Sequence, residues 1–134
     1  VYAVVGDGEA DEGQIWEAVM AAYRYHLDNL VVIIDNNGLQ IDGTTDEIMP
    51  QLDLTKKFDA FGYDTYEIDG HNMEQIMETF DKIHAAKDGR PKFINAHTVK
   101  GKGVSYMENQ LAWHGMAPND EQYQQAMREL EEGI

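Results

Sequence analysis

Residues 1–39, VYAVVGDGEADEGQIWEAVMAAYRYHLDNLVVIIDNNGL, alternate between apolar runs and polar turns. The first run, residues 1–5, ends at the turn Gly6-Asp7-Gly8, and the second run, residues 30–34, ends at the polar residues that precede Asn37. Apolar residues at helical spacing lie between the two runs. This stretch therefore predicts a strand, a helix and a second strand joined as one βαβ unit.

The two polar turns follow consecutive strands of this unit. Consecutive parallel strands end at the same edge of a sheet, so Asp7 and Asn37 are expected to meet at the carboxyl edge, where open α/β sheets bind ligands. A carboxylate, an amide oxygen and free backbone carbonyls suit a small hard cation such as Mg²⁺. Each turn alone is weak evidence, because Asp-Gly and Asn-Gly are common turn dipeptides. Their pairing at two strand ends favours a metal site.

The rest of the chain continues the alternation of helices and strands. We predict a first helix over residues 12–27, further strands over residues 64–68 and 92–98, and a loop from Asn37 to about residue 52. Three helices are predicted to begin after the N-caps Asp53, Asn72 and Asn119. The pattern predicts an α/β fold, a parallel sheet with helices on both faces.

Two helices have predicted apolar faces that can be compared with the structure. The face of the first helix contains Ile15, Trp16, Val19, Met20, Tyr23 and Leu27. The face of the helix after Asn72 contains Met73, Ile76, Met77, Phe80, Ile83 and His84. The last helix is expected to bury Tyr123, Ala126, Met127 and Leu130.

Composition limits the possible functions. The 134 residues are enough for one domain with a core, and the formal net charge of −15 argues against nucleic acid and anionic membrane as partners. No apolar stretch approaches the length of a membrane span. The absence of cysteine excludes disulfides and thiolate metal sites, so a metal must be held by oxygen or imidazole.

Several motifs together carry a family resemblance. They are GDGEADEG (6–13), DNNGLQIDG (35–43), DGH (69–71), KGKG (100–103) and WHG (113–115). Over essentially the whole chain these motifs resemble transketolase, above all the split transketolases of bacteria and archaea. The resemblance implies a partial thiamine-diphosphate-binding fold. In that family the domain starts well upstream of the GDG turn, so residues 1–134 are expected to be the C-terminal part of the domain, in a fragment or truncated chain.

The resemblance also implies a site. It implies Mg²⁺ or Ca²⁺ held by the Asp7 carboxylate, the Asn37 side-chain oxygen and the Leu39 carbonyl, with the cofactor diphosphate completing the shell. His114 is implied to contact the diphosphate and to assist proton transfer from the substrate hydroxyl. The implied cofactor-binding residues are Gly6, Asp7, Gly8, Glu12, Asn37, Ile41, Lys100 and His114.

Individual roles within that set are implied by the same resemblance. Gly8 would let the backbone approach the diphosphate, and Glu12 would link two active sites across a subunit interface. Ile41 would lie against the thiazolium ring and Lys100 near the diphosphate. One departure is Met116, which occupies the position of the lysine in the His-Gly-Lys sequence that is frequent in the family.

Some of these residues have simpler interpretations. Ile41 is about as well explained as a packed loop residue, and Lys100 nearly as well as a solvated one. The acidic residues Glu9 and Asp11 are interpreted as favourable charges at a helix N-terminus.

The histidines other than His114 are expected to be structural. His26 and His84 are expected on helices, in structural or surface positions. His71 is expected to orient its own turn, and His97 to pack in the core.

The function implied is transfer of a two-carbon ketol unit between sugar phosphates. Such an enzyme would be cytoplasmic, would belong to the pentose phosphate pathway and would be a homo- or hetero-oligomer with a pyrimidine-binding domain or subunit. We expect this chain alone to be inactive. Two alternatives stay open: another thiamine-diphosphate enzyme, such as deoxyxylulose-phosphate synthase or a 2-oxo-acid dehydrogenase subunit, and a non-catalytic α/β interaction module.

Overall fold

The computed structural model describes residues 1–133 and is built on a four-stranded parallel sheet. The sheet strands are β1 (Tyr2–Gly6), β2 (Val31–Asn36), β5 (Asp64–Asp69) and β6 (Lys92–His97). They lie in the order β1-β2-β6-β5. The predicted α/β parallel sheet is confirmed, and its strands begin and end within a residue or two of the predicted positions.

Helices cover both faces of the sheet. On one face α1 (Gly13–Arg24) and α3 (Leu54–Ala60) pack with Val32, Ile34 and Phe93, and on the other α4 (Met73–Ala85) packs with Val31 and Ile94. Alternate residues of one strand point to opposite faces, which is why β2 and β6 are apolar without interruption. Two hydrophobic cores result, one on each side of the sheet.

The predicted loop from Asn37 to residue 52 is only partly a loop. It contains a two-stranded hairpin, β3 (Leu39–Gln40) with β4 (Gly43–Thr44), and the one-turn helix α2 (Thr45–Ile48). The Thr44 hydroxyl accepts from the Glu47 N–H while the Glu47 carboxylate accepts from the Thr44 N–H, a capping box that starts α2. The Thr-x-x-Glu spacing was the missed signal.

The first helix is shorter than predicted and buries only part of the predicted face. It ends at Arg24, and His26 lies in the following turn with a φ of 53° rather than on a helix. Met20 and Tyr23 are 51% and 46% exposed, whereas Ala22 is buried. Val19 is buried and Ile15 and Trp16 pack against the core, so this part of the predicted face is confirmed.

Two other predicted apolar faces are also more open than expected. Met73 and Met77 of α4 are 67% and 65% exposed. The last helix, α5 (Asp120–Glu132), has the predicted cap, with Asn119 and Gln122 exchanging hydrogen bonds. Only Ala126 of its four predicted core residues is buried; the other three, Tyr123, Met127 and Leu130, are exposed.

One predicted core residue lies at the rim of the sheet. His97 ends β6 and is exposed, with its Nε2 2.6 Å from Glu67 Oε1. The strand leaves the core at this point, so packing does not cover the side chain. No helix within residues 1–133 has both the length and the apolar character required to cross a bilayer.

Candidate functional site

A cleft of about 550 Å³ lies at the carboxyl edge of the sheet, where β1 and β2 end. It is bounded by the turn after β1, the turn and hairpin after β2, and the loop after β6. The side chains and backbone that line it are Gly6, Asp7, Gly8, Glu9, Glu12, Asp35, Asn37, Leu39, Gln40, Ile41, Asp42, Lys100 and His114. All eight residues of the predicted cofactor set line this one cleft.

Asp7 joins the two strand-end turns. Its side chain is only 2% exposed, and its carboxylate accepts hydrogen bonds from the N–H of Gly8 at 2.8 Å and of Gly38 at 2.6 Å. Its own N–H donates to the Asp35 carbonyl at 3.2 Å. The parallel pairing of Gly6 with Asp35 brings these turns side by side, as the βαβ topology predicts.

The electrostatic surroundings of Asp7 favour a cation. Burial raises the pKa of the Asp7 carboxyl above 3.8, the neighbouring Asp35 carboxylate raises it further, and the Gly38 and Gly8 hydrogen bonds lower it. Within residues 1–133 Asp7 forms no ion pair with lysine, arginine or histidine. A buried carboxylate is costly unless it is paired or coordinates a metal.

Asn37 and Leu39 flank Gly38, whose N–H donates to Asp7. Asn37 is half-buried, and its Oδ1 accepts from the Leu39 N–H at 3.1 Å. Gly38, between them, has a φ of +75°, a conformation that other residues seldom adopt. Its carbonyl accepts from Thr45 N–H at 3.0 Å and so ties the turn to α2.

Lys100 and His114 bring a lysine ammonium and an imidazole to the cleft. Lys100 Nζ lies 3.5 Å from His114 Nδ1, although fourteen positions separate the two residues. His71 was expected to orient its own turn; its Nε2 instead accepts from the Val99 N–H at 2.8 Å, next to Lys100. Trp113 donates from its ring N–H to the Tyr106 carbonyl at 2.9 Å and holds the segment that carries His114.

Other predicted residues lie at the rim. Ile41 is 71% exposed at the tip of the hairpin. Glu12 is exposed at the N-cap of α1, where it accepts a short hydrogen bond from the Gln14 side chain. Gly6 donates its N–H to Glu9 Oε2 at 2.7 Å, so Glu9 also holds the turn.

Gly8 has a contact that the sequence did not indicate. Its N–H is bonded to Asp7, and a β-carbon at Gly8 would lie 3.1 Å from Gln40 Cγ. The missing side chain of Gly8 therefore makes room for Gln40. A role of Gly8 toward the diphosphate stays a prediction.

Several residues that line the cleft were not among the predicted site residues. Asp35, Gln40 and Asp42 line the cleft, and all three lie in the motif DNNGLQIDG, which was the available signal.

Among the described residues, no three histidine, aspartate or glutamate side chains gather as a metal-binding cluster. The candidate metal set of one carboxylate, one amide and one carbonyl is of a different kind.

Comparison with known proteins identifies the domain. The family model described as transketolase, thiamine diphosphate binding domain, matches residues 1–131. The chain belongs to this family. The predicted resemblance is confirmed, and the domain is a thiamine diphosphate-binding domain of the transketolase type.

Individual relatives of the transketolase family agree with this assignment. The chain is 49% identical over 133 residues to one of the subunits of apulose-4-phosphate transketolase from Phocaeicola vulgatus, covering 99% of this chain and 47% of the relative. It is 45% identical to the 6-deoxy-6-sulfo-D-fructose transketolase subunit SqwG of a Clostridium species, covering 98% of this chain and 47% of that protein. The chain thus spans about half the length of these curated relatives.

Solved transketolase structures share the fold. The transketolase of Campylobacter jejuni superposes with a TM-score of 0.88 at 28% sequence identity, over 97% of this chain and 20% of the larger one. The confirmed fold is therefore that of one part of a transketolase.

Proposed function

We propose that this chain anchors the diphosphate end of thiamine diphosphate, through a divalent cation, for a transketolase. The observation that carries the proposal is the placement of Asp7, Asn37, Lys100 and His114 around one cleft. Membership of the family indicates the cofactor. The cleft offers it the buried Asp7 carboxylate and the side-chain nitrogens of Lys100 and His114.

The metal is proposed to be Mg²⁺, with Ca²⁺ as a substitute. Asp7 would contribute its carboxylate, Asn37 its amide oxygen and Leu39 its backbone carbonyl. Mg²⁺ is commonly held by one or two carboxylates plus phosphate oxygens, so a single buried Asp7 and a neutral Asn37 leave room for the diphosphate. A second carboxylate at position 37 would repel that diphosphate.

Lys100 and His114 are proposed to meet the anionic and reacting ends of the ligands. Lys100 would neutralise part of the diphosphate charge. His114 would hold a diphosphate oxygen and move a proton at the substrate hydroxyl, which suits an imidazole at neutral pH. Glu12 and Ile41 lie exposed at the rim, where the cofactor ring and a partner protein would cover them.

The catalytic reaction requires more than this chain. When bound, thiamine diphosphate supplies the nucleophilic carbon that receives and returns the two-carbon unit. We propose that a pyrimidine-binding domain or subunit completes the site in an oligomer, and that the chain alone is inactive. A cytoplasmic location and a place in the pentose phosphate pathway are part of the same proposal.

Calorimetry with Mg²⁺ and thiamine diphosphate tests the anchoring role. The full chain together with its pyrimidine-binding partner is expected to bind the pair, and omission of Mg²⁺ is expected to abolish binding. For a substitution of Asp7, the matched control is Asp46→Asn, which removes a carboxylate from the exposed surface of α2 outside the cleft. Equal binding with and without a divalent cation would contradict the proposal.

A donor assay distinguishes transketolase from the other thiamine enzymes. The names of two relatives specify a sugar phosphate and a sulfosugar, so we propose a ketose with an anionic end as donor. The reconstituted enzyme is expected to transfer a two-carbon unit from such a ketose to an aldose phosphate. Turnover of pyruvate without transfer from any ketose would refute this substrate class.

A further inference from the structure

Asp11 connects three segments around the cleft, although its side chain does not line it. It ends the 3-10 turn Gly8–Asp11 that follows Asp7. One carboxylate oxygen, Oδ2, accepts from Gln40 Nε2 at 2.9 Å, and the other, Oδ1, accepts a short hydrogen bond from Gln51 Nε2. Two residues eleven positions apart, one in β3 and one after α2, are therefore attached to one carboxylate.

Gln51 extends this connection to the proposed metal ligand. It is only 7% exposed, and the same Nε2 donates to the Asp7 backbone carbonyl at 3.3 Å. Gln40 packs its side chain against Gly8, where a β-carbon would come within 3.1 Å. The two glutamines and Asp11 thus fasten the 39–51 segment to the turn that carries Asp7.

The 39–51 segment has few other attachments. Its strands β3 and β4 form a separate two-stranded sheet of two residues each, outside the main sheet. Its large apolar side chains are not in the core: Ile41, Ile48 and Met49 are 71%, 45% and 55% exposed. Since these apolar side chains contribute little burial, polar contacts must supply much of what fixes the position of the segment.

We propose that Asp11 is a positioning residue for the cation and diphosphate site. It holds the 39–51 segment so that the Leu39 carbonyl stands beside the Asp7 carboxylate, next to the Asn37 turn that the Gly38 N–H already joins to Asp7. Asp11 itself touches neither cation nor cofactor. The inference rests on the proposed function, because Leu39 and Asn37 matter only if they bind the cation.

The first test measures binding of Mg²⁺ and thiamine diphosphate to the full chain together with its pyrimidine-binding partner. Asp11→Ala is expected to raise Kd about tenfold, as for the loss of about 1.4 kcal/mol. Asp11→Glu, which keeps both acceptor oxygens, is expected to recover part of this loss. Asp46→Ala removes the same charge from α2 in the same segment and is expected to leave Kd unchanged.

A double-mutant cycle and amide exchange separate positioning from stability. In the Asp11→Ala background, Gln40→Ala is expected to add little further loss, because the pair acts as a unit. The N–H groups of Leu39 and Thr45 are expected to exchange faster, while that of Phe93 in the core does not change. Faster exchange throughout the chain, with unchanged Kd, would overturn the proposal and leave a structural role only.

The remaining outcomes are also decisive. If the unmodified chain together with its pyrimidine-binding partner binds no Mg²⁺ and thiamine diphosphate, the proposed function fails, and exchange still decides whether Asp11 holds the segment. If it binds and Asp11→Ala binds equally well, the positioning role is wrong while the proposed function stands.

Discussion

The substitution Asp7→Asn is the most informative single change at the cleft. It keeps the shape of a side chain that is 2% exposed and removes its charge. Asparagine retains one acceptor oxygen, so one of the two hydrogen bonds from Gly8 and Gly38 is expected to survive. The substitution therefore removes the proposed cation partner with limited damage to the turn.

The structure allows the effect of Asp7→Asn on binding and on folding to be compared. Loss of one partner of a buried charge pair costs about 3–5 kcal/mol, which equals about two to four decades in the Kd for Mg²⁺ and thiamine diphosphate. Losing one hydrogen bond to the carboxylate costs about 2 kcal/mol of folding free energy. Asparagine carries no charge, so the substitution also removes the cost of burying a carboxylate, the effect that raises the pKa of Asp7. This gain offsets part of the lost hydrogen bond.

The pH dependence of Asp7 gives a second signature. Because its folded pKa lies above 3.8, its contribution to stability is present below pH 3.8 and is lost as the pH rises through the raised value. Asp7→Asn is expected to remove this contribution. The affinity for the cation changes with pH in the opposite direction, because only the ionised carboxylate binds it. Affinity therefore falls as the pH is lowered toward the raised pKa.

The assay is titration calorimetry paired with urea unfolding, for wild type, Asp7→Asn and the surface control Asp46→Asn. We expect the control to match wild type in both measurements. Asp7→Asn is expected to lose binding by about two to four decades in Kd, while its free energy of unfolding falls by less than about 2 kcal/mol. Binding by Asp7→Asn within threefold of wild type would refute the metal-ligand role.

Three further predictions concern the fold and the cleft. The Lys92 ammonium lowers the pKa of the Asp88 carboxyl below 3.8. The resulting stabilisation is present above that pH and is lost as the pH falls through the lowered value. In urea unfolding, Asp88→Asn is therefore expected to cost about 1 kcal/mol at pH 7 and nothing in acid. Gly101→Ala, at a φ of +73° with a β-carbon 2.6 Å from the Met107 carbonyl oxygen, is expected to cost about 1–3 kcal/mol and to weaken diphosphate binding beside it. Phe58→Ala removes a core ring whose centroid lies 3.7 Å from that of the stacked Phe93 ring. It is expected to cost about 3–5 kcal/mol of unfolding free energy.

Local signals predicted the order of elements well. Apolar runs located all four sheet strands, and the caps Asp53, Asn72 and Asn119 each accept the expected backbone hydrogen bond. Burial was harder to predict. Periodicity identifies the apolar face of a helix, as in α5, but not whether another element covers it.

The site divides in the same way. Topology predicted that Asp7 and Asn37 would meet, because parallel strands end at one edge. The bonds of Asp11 to Gln40 and Gln51 could not be predicted, since they join residues 29 and 40 positions apart and depend on a hairpin that the sequence did not indicate. The sequence offered a simpler role for Asp11, as a charge at a helix N-terminus.

Line broadening by Mn²⁺, used in place of Mg²⁺ with thiamine diphosphate, tests the central claim most directly. In amide NMR spectra of the full chain, the account predicts that the resonances of Gly8, Gly38 and Leu39 broaden first. The resonance of Lys92, at the opposite end of the sheet, is expected to stay sharp. Broadening centred away from the turns after β1 and β2 would contradict the account.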